Sequence, residues 1–295
     1  MSTILEIRMI EFFRDVSRYP FLQYALIAGI LSSIACGIVG SYVTVRRISY
    51  IAGAIAHSTL AGMGAARYLQ RNLGLSFISP MHGAMLAAVL AAVIIGMVSL
   101  HGKQREDTVL SAVWAVGMAV GIFFISRTPG YNEDLMSYLF GNILMVRKID
   151  LFLIIGLDLL VVIVSFLFYH QLEAICFDEE YARLRGVSVE IYYILLLCLT
   201  ALTVVSLLQV VGMVMVIALL SLPAATAAFF SKKLWQTILL AIGFNLLYMI
   251  CGLSLSYQPD LPAGATIIIL AGIGYLLVVG IGPHIKRRLG KRQEK

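Results

Sequence analysis

Stretches of about twenty mostly apolar residues recur along this chain, and the recurrence restricts it to one kind of solvent. A helix of about 20 apolar residues spans the hydrocarbon of a bilayer. Nine stretches of that kind are read at 21–46, 50–69, 81–100, 109–126, 150–169, 190–209, 212–230, 235–256 and 263–283. Hydrophobic residues make up 60% of the chain and charged residues 13%, roughly half the charged share of an ordinary soluble protein. One soluble core cannot hide that much apolar surface, so soluble enzymes, disordered chains and fibrous repeats are excluded. The expected fold class is all-α, a polytopic membrane protein with about nine transmembrane helices. The connectors between them leave no room for a folded soluble domain.

The charge excess of +6 then reports loop orientation and contact with anionic lipid rather than nucleic-acid binding. Basic residues mark the cytoplasmic side. Alternating backwards from the tail (Lys286, Arg287, Arg288, Lys291, Arg292) places Arg46-Arg47, the 101–108 loop, the 170–189 connector and Lys232-Lys233 together there. Arg127, Arg147 and Lys148 fall outside, and an odd number of spans puts the N-terminus outside as well. Residues 1–20 lack a clean signal-peptide pattern. Ile4, Ile7, Ile10, Phe13 and Val16 recur at helical spacing there and predict an interfacial amphipathic segment. The expected layout is this segment, one transmembrane domain over 21–285 with the connector 172–189 inside it, and a basic cytoplasmic tail over 286–295. The four cysteines are dispersed without a C-x-x-C pair and read as small buried hydrophobes.

The chain carries no Walker loop, nucleophile elbow, H-E-x-x-H or dinucleotide fingerprint, so no catalytic residue is assigned. Polar groups inside the spans become the candidates, because burying them in lipid is expensive. His57 lies in a span dense in Gly and Ala, where helices approach closely or leave a lumen. A neutral imidazole there serves either as a metal ligand or as a hydrogen-bonded packing residue. Asp158 lies mid-span, where a carboxylate must be protonated or paired; Asn245 is a further polar group. Pro223 breaks helical hydrogen bonding near the middle of its span. The loop Tyr257–Pro262 holds the carboxylate of Asp260 between two prolines, at the outer end. Leu135–Val146 is too short to span and reads as a helix at one face. Within the long connector 172–189, Asp178–Leu184 predicts a short helix ended by Gly186 and supported by Glu179 and Arg183 at i,i+4. It reads as a docking element or as an ordinary solvated loop.

Five motifs fall in one order: GSYVTVRRISYIAGAIAHSTLAG (Gly40–Gly62), DLMSYLFGNILMV (Asp134–Val146), FDEEYARLRGVSV (Phe177–Val189), VVGMVMVIALLSLPAATA (Val210–Ala227) and DLPAGATIIIL (Asp260–Leu270). Together they resemble the membrane permeases of ABC importers for zinc, manganese and iron, the metal-uptake ABC-3 family. The resemblance implies a fold similar to the cobalamin and siderophore importer permeases and a homodimer in the bacterial or archaeal inner membrane. It implies ATP hydrolysis on a separate cytoplasmic ATPase pair, an extracytoplasmic metal-binding protein, alternating access, and a divalent metal as cargo rather than a bound cofactor. By the same resemblance His57 and Asp260 belong to the metal pathway, and Asp134, Tyr138 and Asn142 to an outer gating helix. Asp178, Glu179, Ala182, Arg183 and Gly186 form the ATPase coupling element, and Pro223 kinks a pathway helix. Many family members carry an aspartate one turn before the histidine; this chain has Gly53. Either another helix supplies an oxygen ligand or the metal is held more weakly in transit. The rivals are a self-sufficient secondary transporter or channel, proton-coupled through Asp158, and a membrane scaffold or sensor without a pathway.

Overall fold

The computed structural model describes residues 11–12, 14–72, 74, 77–101, 106–128, 141, 143, 146–257, 259 and 261–293. Eleven helices are found among them: α1 (Pro20–Arg46), α2 (Ser49–Asn72), α3 (Pro80–His101), α4 (Glu106–Ser126), α5 (Lys148–Leu167), α6 (Tyr169–Phe177), α7 (Glu179–Leu184), α8 (Val189–Val211), α9 (Met213–Phe230), α10 (Leu234–Tyr257) and α11 (Ala263–Gln293). Among the described residues, nine of these have 18 residues or more. They fall on the nine apolar stretches, with ends shifted by three residues or fewer except in α11, which continues into the basic tail as far as Gln293.

Seven helices are long and apolar enough to cross a membrane on length and composition alone. Helix α2 falls short because Ala, Gly, Ser, Thr and His replace larger apolar side chains along it. Every residue from Ile51 to Leu60 is buried, so neighbouring helices rather than lipid surround that stretch. A helix shielded in this way does not need the hydropathy of a lipid-facing one. Helix α9 carries a shorter apolar stretch, Val216–Phe230.

Helix α1 sits in the middle, packed against α5, α8, α9 and α10. Helix α2 packs mainly against α3 and α4 and also reaches α8 and α9. Two-thirds of α1 and of α8 is buried (67%), against 11% for α4 and 17% for α11. The latter pair thus form the outside of a single copy. Close approach sets the α2–α3 crossing, where a Cβ on Gly62 would run into the Gly83 carbonyl oxygen and one on Gly83 into that of Gly62. Backbone contact of this kind is how helices associate where water supplies no drive.

The chain turns between α1 and α2 through Arg47, whose φ of 64° is left-handed. The Arg47 amide donates to the Thr44 carbonyl at 3.1 Å and the Ile48 amide to that of Val43 at 3.0 Å, closing the end of α1 in two residues. At the other end of the molecule, Phe12 is 1% exposed and meets the Tyr257 ring edge-on at 5.8 Å. The Tyr257 hydroxyl donates to Asp15 Oδ2 at 3.2 Å. The described part of the N-terminal segment is therefore pinned to the bundle through Phe12, which does not belong to the expected apolar stripe. Of that stripe, Val16 packs on the core; Ile4, Ile7, Ile10 and Phe13 lie outside the described residues.

Candidate transport pathway and coupling site

His57 sits at the seam of α2 and α4. Its side chain is 9% exposed and its ring stacks on Trp114 of α4 at 4.2 Å between centroids, 17° from parallel. Small residues make that distance attainable: a Cβ on Gly117 would lie 2.8 Å from Cα of Ser58. The Ser58 hydroxyl donates to the Ala54 carbonyl at 2.8 Å and contacts that of Val113 at 3.3 Å. Among the described residues, Nδ1 of His57 has no hydrogen-bond partner. Buried polar atoms are nearly always paired, so this nitrogen is free to meet something that passes.

The space before His57 is filled rather than vacant. A Cβ on Gly53 would lie 2.7 Å from Ile217 Cδ1 and 3.2 Å from Trp114 Cζ3. A carboxylate one turn before the histidine would have to displace both side chains. Among the described residues no group of three or more His, Cys, Asp or Glu side chains converges to hold an ion. The site offers one neutral nitrogen donor between an indole and an isoleucine, suited to a brief stop rather than to tight capture.

Of two other intramembrane polar groups, Asn245 is occupied structurally, while Asp158 is paired through one oxygen only, its Oδ2 having no hydrogen-bond partner among the described residues. Asp158 of α5 is 4% exposed and its Oδ1 accepts from Ser206 Oγ of α8 at 3.0 Å. The Asn245 Nδ2 donates back to the Ala241 carbonyl of its own helix at 3.1 Å. Pro223 lies within α9, where it has no N–H for the carbonyl of Leu219, four residues earlier. Cys36 of α1 supplies the donor, its Sγ lying 3.1 Å from the Leu219 oxygen. Beside it a Cβ on Gly40 would run into the Leu220 carbonyl, so α1 and α9 touch backbone to backbone at the proline. Nothing in the spacing of the cysteines announces this role; only the register of α1 against α9 does.

The 172–189 connector folds as expected and adds a partner. Asp178 caps α7, its Oδ1 accepting from the Tyr181 amide at 3.0 Å, worth about 1 kcal/mol in comparable helices. Gly186, with φ at +79°, closes the other end: its amide donates to the Arg183 carbonyl and that of Val187 to Ala182, both at 3.0 Å. Ala182 is fully buried and Leu184 is 87% exposed, so the helix has an inner face and a bare outer one. Glu179 does not spend its charge on Arg183. It forms an ion pair with Arg46 at the end of α1, whose Nη1 donates to the Ile175 carbonyl at 2.5 Å. The same guanidinium lies 5.2 Å from the centroid of the Tyr193 ring. The sequence distance from Arg46 to these partners hid the contact.

Around this element the expected cytoplasmic features come together. His101 faces Glu190 at 3.8 Å, Arg46 joins α6, α7 and α8, and the Tyr169 hydroxyl donates to Glu173 at 3.1 Å. Burial and the Glu173 carboxylate push the Tyr169 hydroxyl up to about 12, partly offset by a hydrogen bond from the Trp235 backbone. Trp235 begins α10, and Tyr257, at the far end of that helix, holds Asp15. Asp134, Tyr138, Asn142 and Asp260 lie outside the described residues. Gly141 and Ile143, from the same short segment, are described. A Cβ on Gly141 would meet the backbone of Val211 and Gly212, at the break between α8 and α9.

Residues 18–281 match the model of the ABC 3 transport family. The chain belongs to that family. Among relatives of this ABC-3 chain, a metal transport system membrane protein of Chlamydia muridarum is 45% identical over 258 residues, covering 88% of each chain. The manganese transport system membrane protein MntC of Halalkalibacterium halodurans is 34% identical over 272 residues, covering 92% of this chain and 91% of its own. Among solved structures, PsaBC of Streptococcus pneumoniae, in complex with Fab, superposes with a TM-score of 0.81 at 32% identity, over 91% of this chain and 94% of that one. The family membership agrees with the reading of a multi-pass, non-catalytic transport subunit of the cytoplasmic membrane.

Proposed function

We propose that this ABC-3 chain is the permease subunit of an ATP-driven importer for a divalent transition metal. Two copies enclose the pathway and work by alternating access. ATP is hydrolysed on a cytoplasmic partner pair that docks at α7, and an extracytoplasmic protein delivers the metal. The ion is drawn from manganese, zinc and iron, and manganese is the one that the name of the Halalkalibacterium relative carries.

The observation that carries the reading is the unpaired Nδ1 of His57, buried beside Trp114. A buried imidazole nitrogen without a hydrogen-bond partner is suited to exchanging ligands with a passing cation. Its neutral form binds zinc and iron well and manganese acceptably. Asp260 near the outer mouth attracts cations, and Asp134, Tyr138 and Asn142 act as the outer gate. Pro223 kinks the pathway helix, and Asp178, Glu179, Ala182, Arg183 and Gly186 form the coupling element.

The test is uptake of Mn²⁺, Zn²⁺ and Fe²⁺ into proteoliposomes that hold the permease with its ATPase partner. His57→Ala is expected to reduce uptake at least tenfold while the complex still copurifies. Unchanged uptake in that variant refutes the pathway role. ATP-independent uptake by the permease alone would favour a secondary transporter instead.

A further inference from the structure

One helix makes two contacts with other helices, at its C-terminal end and at its middle. At its C-terminal end, α1 places Arg46 against the Glu179 carboxylate of α7, the Ile175 carbonyl of α6 and the Tyr193 ring of α8. Ten residues earlier, Cys36 of the same helix donates to the carbonyl that Pro223 leaves without a helical partner. Gly40, between them, touches the Leu220 backbone. We propose that α1 transmits motion of the coupling helix to the proline site of α9, with Arg46 at its C-terminal end and Cys36 at its middle as the positioning residues. The inference rests on the permease reading and adds a route that the reading does not specify.

The physical argument is one of stiffness and attachment. Thermal play is small in a helix whose middle is two-thirds buried, so α1 shifts as a unit rather than bending. Arg46 is clamped by three different interactions from three helices, and its charge suits the C-terminal end of α1. Cys176, in α6, adds a weaker tie, its Sγ 3.8 Å from the Tyr42 carbonyl. A displacement of α6 and α7 therefore cannot leave α1 in place. At the middle of α1 the thiol contact is weak and easily exchanged, because a thiol is a poor donor. Sliding α1 by a fraction of a turn withdraws the thiol from the Leu219 carbonyl and moves Gly40 along α9. Both changes act at the point where α9, lacking one helical hydrogen bond, bends most readily. The coupling helix and the proline site are thereby biased together by a single rigid element, which is the physical requirement for coupling distant sites.

The experiment compares variants of the full complex in proteoliposomes, with the Mn²⁺-loaded extracytoplasmic protein as the probe. Mn²⁺ uptake and ATP hydrolysis are measured side by side. Arg46→Ala is expected to assemble with the ATPase and to hydrolyse ATP, yet to import at least fivefold less Mn²⁺ per ATP. Glu179 lies on the docking helix, so Glu179→Ala is read at saturating ATPase, where it should lower Mn²⁺ import per ATP as well, and the double variant should be no worse than Arg46→Ala alone. Cys36→Val, which removes the donor and adds the bulk of about one methyl group, should also lower the ratio, and Cys36→Ser, which keeps a donor in a smaller side chain, should restore it. If Arg46→Ala fails to assemble, Arg46→Gln takes its place, keeping a donor for the Ile175 carbonyl without the charge. An unchanged ratio in the Arg46 variant, or equal ratios in Cys36→Val and Cys36→Ser, overturns the inference while leaving the permease reading intact. Absence of ATP-driven uptake in the unmodified complex overturns both.

Discussion

At the residue scale two side chains organise the candidate site: the His57 ring stacks on Trp114, and the Arg46 guanidinium pairs with Glu179. His57 stood out because an imidazole in a span is expensive. Trp114, which stacks on it, looked like any aromatic in an apolar stretch, and Ile217 gave no signal at all. Arg46 read as a topology marker rather than as a clamp, because its partners lie about 130 positions away. Asp158 was expected to be paired or protonated, and Ser206 proves to be its partner. Cys176 offers a test at this scale. Burial, only partly offset by the nearby Arg46 guanidinium, pushes its thiol up to about 12. A thiol is reactive only as thiolate, and the folded form lacks that charge until pH rises toward 12. Cys176 should therefore resist maleimide at pH 7 and at pH 8.5 in the folded protein and react once detergent denaturation exposes it. Mass spectrometry of labelled peptides reads the outcome, and labelling of the folded protein at pH 7 would contradict the buried contact with Tyr42.

Helix positions were legible because the apolar stretches are long and their ends are marked. Pro20 opens α1, Gly212 separates α8 from α9, and Pro80 starts α3. The short helix α7 was legible for the same reason, since an Asp cap and a following glycine bracket six residues. What could not be read was packing, since the α2–α3 approach depends on Gly62 and Gly83 meeting across helices. Gly186 gives the element-level prediction. A Cβ there meets nothing within 4 Å, so Gly186→Ala incurs no clash. Its left-handed φ of +79° remains unfavourable to alanine by about 1 kcal/mol. The last turn of α7 should fray, lowering affinity for the ATPase about fivefold in a pull-down titration, while the permease keeps its melting temperature within a few degrees. Equal affinity would remove α7 from the docking surface.

For the whole molecule, the charge pattern carried the arrangement further than hydropathy did. Arg46, the 101 end of α3, the 170–189 connector and the start of α10 were expected on one side, and the contacts of Arg46, His101 and Tyr169 join them at one end. The N-terminal segment, expected on the opposite side from the parity of the spans, is held by Tyr257 at the far end of α10. A cysteine at position 184 should react with a membrane-impermeant maleimide only in inside-out vesicles, and one at position 18 only in right-side-out vesicles. Reaction of both from the same side would break the topology.

The thin hydropathy of α2 has a consequence for how the protein is made. A translocon sorts each segment into lipid by its own affinity, and α2, taken alone, has little claim to enter. It can settle only when α1 has already entered and α3 and α4 arrive to wrap it. A nascent chain halted soon after Asn72 would hold this segment in limbo at the channel mouth, open to proteases, until synthesis resumes. The helix that carries His57 is thus the one whose birth depends most on its companions.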